Sequence, residues 1–538
     1  MLRLDYVSPL PPVRSGIADY SADLLPHLAP LCDLRVIGVP GQKVAAEIAE
    51  RWSPVAAAEM AGSGRLALYH MGNNRHHERV LELALAHPGV VALHDLVLHH
   101  LLIEATLGKE EKLEPYQERL RADHGWVGDV AARARQWGEL GRAPMFELPA
   151  NRTLLRRQRG VLVHSRWAAE RLAEEDPELA VRHVPMAMPL PARLDEESGR
   201  ALRRRLGVPL AAPLLGSFGF QTPIKRTDVV VGALARPELA GVHLLIAGEL
   251  SPALDVVAQA RELGVARRVH VAGFLPYDEF EAAIAACDLC VNLRYPTAGE
   301  TSASLLRVLA AGRAALVSDY AQFAELSDEA VLKVPLGEGE TAALAAAAGR
   351  LLADRAALTA MGGAAREYVA RRHDPATAAR RMVAACAELA AREPPGDAAA
   401  TEPAPSTLTW RILPGELTVA GWSEEWPVGA RRRLSIELAN TGLARWLATR
   451  HDPGGVLVEL QWRDEAWGRT LAQSWVELPT DLDPGERRTL ATELRRPPGA
   501  GALIVEPHVK GIAGFDKLGG PRQILELGRA ERGPAASC

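Results

Sequence analysis

Short apolar runs alternate with helical stretches over the first ~390 residues, the pattern of βα units. Leu2, Leu4 and Tyr6 alternate with Arg3 and Asp5, which predicts a strand. Ile17, Tyr20, Leu24, Leu28 and Leu31 then share one helical face, in a helix that Pro26 must kink or end. Further strands are predicted at 33–39, 66–71, 90–94 and 160–164, each short, continuous and Val/Leu-rich, as buried parallel strands are. A second set begins near Leu214, with strands at 214–218, 242–247, 268–272, 289–293 and 314–318. Helices at 339–353, 355–371 and 375–391 close it. Strands alternating with helices imply parallel sheets in doubly wound domains. Two such sets exceed one core, so two facing domains are expected.

The pattern changes after residue 390. Residues 391–407 are rich in Pro, Ala and acid, lack an apolar face and read as a linker. Beyond them helices vanish, and seven of the eleven Trp follow. Alternating runs at 431–439, 456–463 and 502–509 are separated by Asn440-Thr441-Gly442, Asp452-Pro453-Gly454, Asp483-Pro484-Gly485 and Pro497-Pro498-Gly499. Short strands between Gly/Pro turns predict an antiparallel β-sandwich. The expected domains are therefore 1–190, 191–390, a linker at 391–407, a sandwich at 408–528 and a disordered tail at 529–538.

Composition narrows the function. At 48% hydrophobic and 24% charged, the chain reads as ordinary soluble protein. A net charge of −5 argues against nucleic-acid binding through bulk positive charge. Five scattered Cys fit a reducing compartment. The start lacks the apolar region of a secretory signal, and no run of ~20 apolar residues occurs, so a cytoplasmic protein is expected. Metal ligation is not expected: Cys287-Asp288-Leu289-Cys290 has no second Cys pair, and His76-His77 and His99-His100 lack zinc spacing.

In open α/β sheets, ligands bind beyond the carboxyl ends of the strands. Gly16 ends the first such loop at a helix start, where the backbone can approach an anion, or where an ordinary turn needs a Gly. His94 closes the fourth strand, where it can bond a sugar hydroxyl or cap the next helix; Asp95 can also serve as that cap. Asn73 and Asn74 follow the third strand and suit either hydroxyl recognition or a plain turn. Gly219 ends the first strand of the second set. Lys225 and Arg226 stand at the next helix start, where the dipole disfavours cations, so a bound diphosphate explains them better than surface solvation. The densest segment is Arg294-Tyr295-Pro296-Thr297-Ala298-Gly299-Glu300-Thr301-Ser302-Ala303-Ser304. Gly299 lets the chain pass close to a ligand, Glu300 can accept from sugar hydroxyls, and Thr301 and Ser302 place free N–H groups toward an anion. A capping arrangement is the simpler alternative.

Four landmarks in order, SPLPPVRSGIADY, VVALHD, GSFGFQTPIKR and NLRYPTAGETSASLLRVLAAGRAALVSD, resemble a retaining glycosyltransferase of the GT-B fold, similar to glycosyltransferase family 4. The resemblance covers about residues 1–390. It implies a nucleotide-diphosphate sugar as donor in a cleft between two Rossmann-like domains, the first on the acceptor side. It places the diphosphate at Lys225 and Arg226, near Gly16, Gly219 and the backbone of Gly299, Thr301 and Ser302. It puts Glu300 on the transferred sugar, His94 on its reaction side, and Phe274 beside the nucleobase. No cofactor and no metal are implied, and transfer would proceed on the front face. Asn73, Asn74 and Asp95 would then lie on the acceptor side. The family commonly carries a second Glu where this chain has Arg307, which leaves the nucleobase open.

The last part resembles immunoglobulin-like modules through Asn440-Thr441-Gly442 with Trp446, and Leu478-Pro479 with Asp483-Pro484-Gly485-Glu486. Its Trp residues suit a sandwich core or a sugar-stacking platform, so its partner would be a protein or a glycan. The insert 104–158, with Trp126, Trp137, Arg133, Arg135, Arg142, Arg156 and Arg157, suits a solvated cap, an acceptor site or an anionic membrane surface. The expected protein builds a cell-surface glycan or glycolipid, with peripheral contact at the cytoplasmic face of the membrane. The alternatives are a lapsed GT-B scaffold that binds partners or carbohydrate and, as a minor candidate, a sugar-nucleotide epimerase.

Overall fold

The computed structural model describes residues 1–110, 113–136, 144–191, 194–337, 339–397, 406–408, 413–442, 444–451, 453–466 and 468–527. The chain forms two compact units, one from residues 1–116 with 149–398, the other from 117–148 with the chain beyond 398.

The first unit holds two parallel sheets. One contains β1 (Arg3–Val7), β2 (Asp33–Gly38), β3 (Val55–Ala56), β4 (Leu66–Met71), β5 (Val90–Leu93), β6 (Gly160–Val163) and β7 (Val181–His183). Its order is β3-β2-β1-β4-β5-β6-β7, so the winding reverses between β1 and β4. The second contains β8 (Leu214–Phe218), β9 (His243–Ala247), β10 (Val269–Gly273), β11 (Leu289–Asn292), β12 (Ala315–Ser318) and β13 (Leu332–Val334), in the order β10-β9-β8-β11-β12-β13. This is the doubly wound arrangement, and each reversal opens a crevice at the strand tips. Cys287 and Cys290 are buried beside β11 as small apolar groups.

The helix Gly16–Leu28 runs through Pro26 instead of ending there. Leu24, Leu25 and Leu28 are fully buried and share one core with Met382, Cys386 and Leu389 of the helix Pro375–Leu389. The last turn tolerates a missing backbone donor because this packing holds it.

The second unit contains β14 (Gly415–Ala420), β15 (Arg431–Asn440), β16 (Val456–Asp464), β17 (Thr470–Glu477), β18 (Arg487–Arg495), β19 (Ala500–Val509), β20 (Ala513–Gly514) and β21 (Gln523–Glu526). They form antiparallel sheets β14-β15-β18 and β17-β16-β19-β20, with β21 also on β19. Leu434, Ile436 and Leu490 of one sheet share a core with Val458, Leu460, Trp462 and Val505 of the other. Trp426 and Trp446 are buried in it, and Trp422 packs against it. Most of these tryptophans therefore take the core option.

Arg156 of the insert is buried and paired with Asp176 and Glu178, and Arg157 pairs with Asp397, so both hold the first unit together rather than face a partner. Trp137, Arg142, Trp410, Trp467, the side chains of Trp126 and Arg133, residues 398–405 of the linker and the tail at 529–538 lie outside the described residues. Among the described residues no helix is long and apolar enough to cross a membrane.

Candidate functional site

The tips of β8 and β11 bring the charged residues of the second set together. β8 ends at Gly219, whose φ is +82°. Lys225 closes the 3-10 turn Pro223–Lys225 and returns to donate to the Phe218 carbonyl. Burial holds its ammonium well below the usual lysine range, Arg294 pushes it further down, and Glu300 pulls it up. Lys225 forms no ion pair among the described residues.

Beyond β11, Arg294 is 5% exposed and its Nε donates to Glu300 Oε1 at 2.8 Å. Glu300 Oε2 accepts from Thr297 Oγ1 and from the Ala298 N–H, each at 3.0 Å. Gln322 Nε2 donates to Thr297 Oγ1 at 2.7 Å and to the Glu300 carbonyl at 2.8 Å, while its own Oε1 is buried without a partner. Ser302 caps the helix Ala303–Ala310: its Oγ accepts from the Leu305 N–H at 3.3 Å and donates to Asn292 Oδ1 at 3.1 Å. Thr301 is half-buried just before this cap. The loop is thus a capped helix start, the simpler of the two readings, and it also carries the paired charges of Arg294 and Glu300.

The same loop meets the first sheet. Gly299 has φ +77°, and a Cβ there would stand 2.4 Å from Leu96 Cβ. The Val97 N–H donates to the Ala298 carbonyl at 2.9 Å. This contact carries Asp95 close enough to sense Glu300 and Arg294. Burial, then the Glu300 charge, raises the Asp95 carboxyl to about 7, although Asp95 Oδ2 accepts from the Asn73 N–H at 2.7 Å.

Other expected residues take different places. Arg226 pairs with Glu340, a buried carboxylate at the start of the helix Glu340–Ala353, whereas Lys225 does not. Asn73 Oδ1 accepts from the Leu101 N–H in the first turn of the helix His99–Glu110, at 2.9 Å, and Asn74 Oδ1 accepts from the His76 N–H of its own loop, at 3.1 Å. Gly16 opens the helix Gly16–Leu28, with free space where a Cβ would stand. Phe274 is exposed, and the Arg14 guanidinium lies 4.9 Å from its ring centroid. Arg307 reaches toward Asp23, at 3.7 Å.

His94 is buried, 4% exposed. Its Nε2 shares a 2.9 Å hydrogen bond with His70 Nδ1, and its ring lies 4.6 Å from that of His164 and 5.0 Å from that of Tyr20. Burial holds His94 and His70 well below the usual imidazole range, and takes His164 down to about 4. His94 Nδ1, His70 Nε2 and His164 Nε2 are buried without partners. The individual motifs did not reveal this cluster, nor the roles of Arg294, Thr297 and Gln322. A signal was present: His70 lies in β4, while His94 and His164 follow β5 and β6 directly, so three neighbouring strands carry a histidine near their carboxyl ends.

Residues 212–354 match the family described as Glycosyl transferases group 1. This segment contains the whole second parallel sheet. No curated protein matches the chain in sequence. Among solved structures, HepE from Anabaena in complex with UDP and glucose superposes with a TM-score of 0.51 at 15% identity, over 72% of this chain and 100% of that one. HepE with UDP-glucose gives 0.50 at 16% identity, over 72% and 100%. Sucrose-phosphate synthase from Thermosynechococcus elongatus gives 0.48 at 16% identity, over 72% and 99%. The parallel α/β part of this chain therefore has the GT-B fold, and an antiparallel all-β region follows it.

Proposed function

We propose that this protein is a retaining glycosyltransferase, moving a sugar from a nucleotide-diphosphate sugar to a glycan or lipid-linked acceptor in cell-surface polysaccharide biosynthesis. One observation carries the reading: Lys225 stands half-buried at the tips of a parallel sheet, within the matched segment, where Arg294 repels its charge and no ion pair among the described residues balances it. A diphosphate supplies that balance. UDP and glucose in HepE, on the same fold, support it.

In this reading the bond from the sugar anomeric carbon to the phosphate oxygen breaks, and a bond to the acceptor oxygen forms on the same face. The acceptor proton passes to the leaving phosphate. Lys225, Arg294 and the start of the helix Ala303–Ala310 offset the charge that grows on the diphosphate, the role of preorganised donors. Gly16, Gly219, Gly299, Thr301 and Ser302 supply close backbone. Glu300, fixed by Arg294 and Thr297, accepts from hydroxyls of the transferred sugar. His94 borders its reaction side, and Phe274 sits by the nucleobase. Asn73, Asn74 and Asp95 shape the acceptor side through their loop. The reaction needs no metal, because the two cations carry the electrostatic load. The all-β region is an immunoglobulin-like module, and the enzyme works in the cytoplasm, at the cytoplasmic face of the membrane.

Calorimetric titration of the purified chain with UDP, GDP, ADP and TDP in EDTA tests this. One diphosphate binds, and Lys225→Ala weakens it roughly 10- to 100-fold while the protein stays folded. The absence of binding from a well-folded sample supports the second reading, a lapsed scaffold. Arg307 favours that reading, since it turns to Asp23 where the family has its second Glu. Robust transfer to any acceptor eliminates it.

A further inference from the structure

The outer face of the sheet β17-β16-β19-β21 carries an array that the donor site does not use. Val458, Leu460, Trp462, Leu503 and Val505 point into the core, so the alternate positions point out. Trp475, Glu459 and Glu506 stand side by side on three strands, and Gln473, Gln461, Ile504 and Ile524 form the next row. Trp422, Trp426, Trp446 and Trp462 belong to the core, but Trp475 is 40% exposed.

The polar groups around that indole are tied to one another. His508 Nε2 lies 2.7 Å from Glu459 Oε2, and Gln473 donates to Glu459 Oε1. The His508 ring meets the Trp475 ring edge-on at 5.6 Å. Across the sheet, Glu506 Oε1 accepts from the Asp516 N–H at 3.0 Å, and Arg522 lies 3.1 Å from Asp516 and 3.6 Å from Glu506. The side chains are thereby held in place; Glu506 and Ile504 are buried, so a ligand meets Trp475, Gln473, Asp516 and Arg522, with Glu459 and Gln461 half-buried among them.

The chemistry selects the occupant. A protein partner needs an apolar centre depleted of charge, and here Glu459 and Gln461 stand between Trp475 and Ile524. A polyanion would meet the carboxylates of Glu459 and Asp516. A neutral polyhydroxylated ligand fits both features: its C–H face covers the indole, and its hydroxyls donate and accept among carboxylate, imidazole, amide and guanidinium. Three interstrand steps from β17 to β21 span about 14 Å, which suits a short run of pyranose rings rather than one.

We propose that this face is a binding platform for a neutral oligosaccharide chain, with Trp475 as its stacking residue. The platform is independent of the donor cleft, so its failure and that of the transferase reading are separable.

The test is binding of the labelled full chain to an array of printed neutral and acidic oligosaccharides, beside Trp475→Ala, Trp475→Phe and Lys225→Ala. The expected result is binding to a neutral oligosaccharide, at least tenfold weaker in Trp475→Ala, largely kept in Trp475→Phe and unchanged in Lys225→Ala. Matched melting curves exclude unfolding of the variants. No glycan bound, binding to acidic glycans alone, undiminished binding by Trp475→Ala, or loss of binding in Lys225→Ala would each overturn the proposal.

Discussion

Gly219 and Lys225 are fitted to each other: a methyl group at 219 would stand 2.7 Å from the Lys225 ammonium nitrogen. The same glycine has φ +82°, a conformation that costs an L-residue roughly 1–2 kcal/mol. Gly219→Ala is therefore expected to lower the melting temperature modestly and to weaken nucleoside diphosphate binding more than the stability loss explains. Calorimetry on the folded variant separates the two effects.

Lys225 and Arg226 are neighbours with opposite expected phenotypes. Lys225→Ala removes a charge-assisted contact worth about 1.5–3 kcal/mol, a roughly 10- to 100-fold loss of diphosphate affinity. Its stability should change little, since Lys225 is half-buried and its ammonium gives up one hydrogen bond, to the Phe218 carbonyl, and no ion pair among the described residues. Arg226→Ala leaves the buried Glu340 carboxylate without its partner, a loss of about 3 kcal/mol in stability. Its diphosphate affinity should change little. Paired denaturation and titration of both variants check the contrast.

Asp95 makes stability depend on pH in a definite direction. Its folded carboxyl titrates at about 7, above the ordinary value of 3.8, so the folded chain holds a proton that the unfolded chain has lost. The stabilisation from this group is complete below about pH 4 and is lost as pH rises through 7. Asp95→Asn should therefore gain melting temperature relative to the parent at pH 8, with the gain shrinking toward pH 4. A gain that does not vary with pH would refute the assignment.

The buried histidines act in the opposite sense. His164 titrates near 4 when folded and near 6.5 when unfolded, so its contribution is present above 6.5 and lost as pH falls toward 4. His70 and His94 add to the same loss. The first unit should weaken between pH 6.5 and 4, by about 2 kcal/mol at pH 5 from His164 alone. In a folded His164→Asn variant, melting curves across this window should show a shallower decline.

Arg307 lies between the two parallel sheets' helices, close to Asp23, and both Asp19 and Asp23 are raised mainly by burial and lowered by its charge. Arg307→Glu restores the family's common residue but sets three carboxylates together. The variant should melt lower than the parent at pH 8 and recover toward pH 5, as measured by thermal denaturation.

Much of the fold was legible because its strands are buried on both faces. The runs at 66–71 and 214–218 match β4 and β8 residue for residue, since continuous apolar segments leave little choice of ends. The edge strands β3, β7 and β13 are two or three residues long and carry no such signal. In the all-β region β17 was missed because most of its residues are exposed, so its apolar alternation is broken.

The sequence by itself determined the doubly wound class, the break into an all-β part, and the loops that hold Lys225, Glu300, Ser302 and His94. Those follow from local periodicity and from the rule that strand tips carry chemistry. Only the tertiary structure decided which charges meet. It set Lys225 under the influence of Arg294 and Glu300, gave Arg226 to Glu340, and spent Asn73 on the helix His99–Glu110 and Asn74 on its own loop. It also buried His94 among His70 and His164, and left Trp475 outside while Trp426, Trp446 and Trp462 entered the core. The reason is physical. Side-chain partners are set by distances across elements far apart in the chain, and burial by which face a packed sheet presents, and neither is encoded in local spacing.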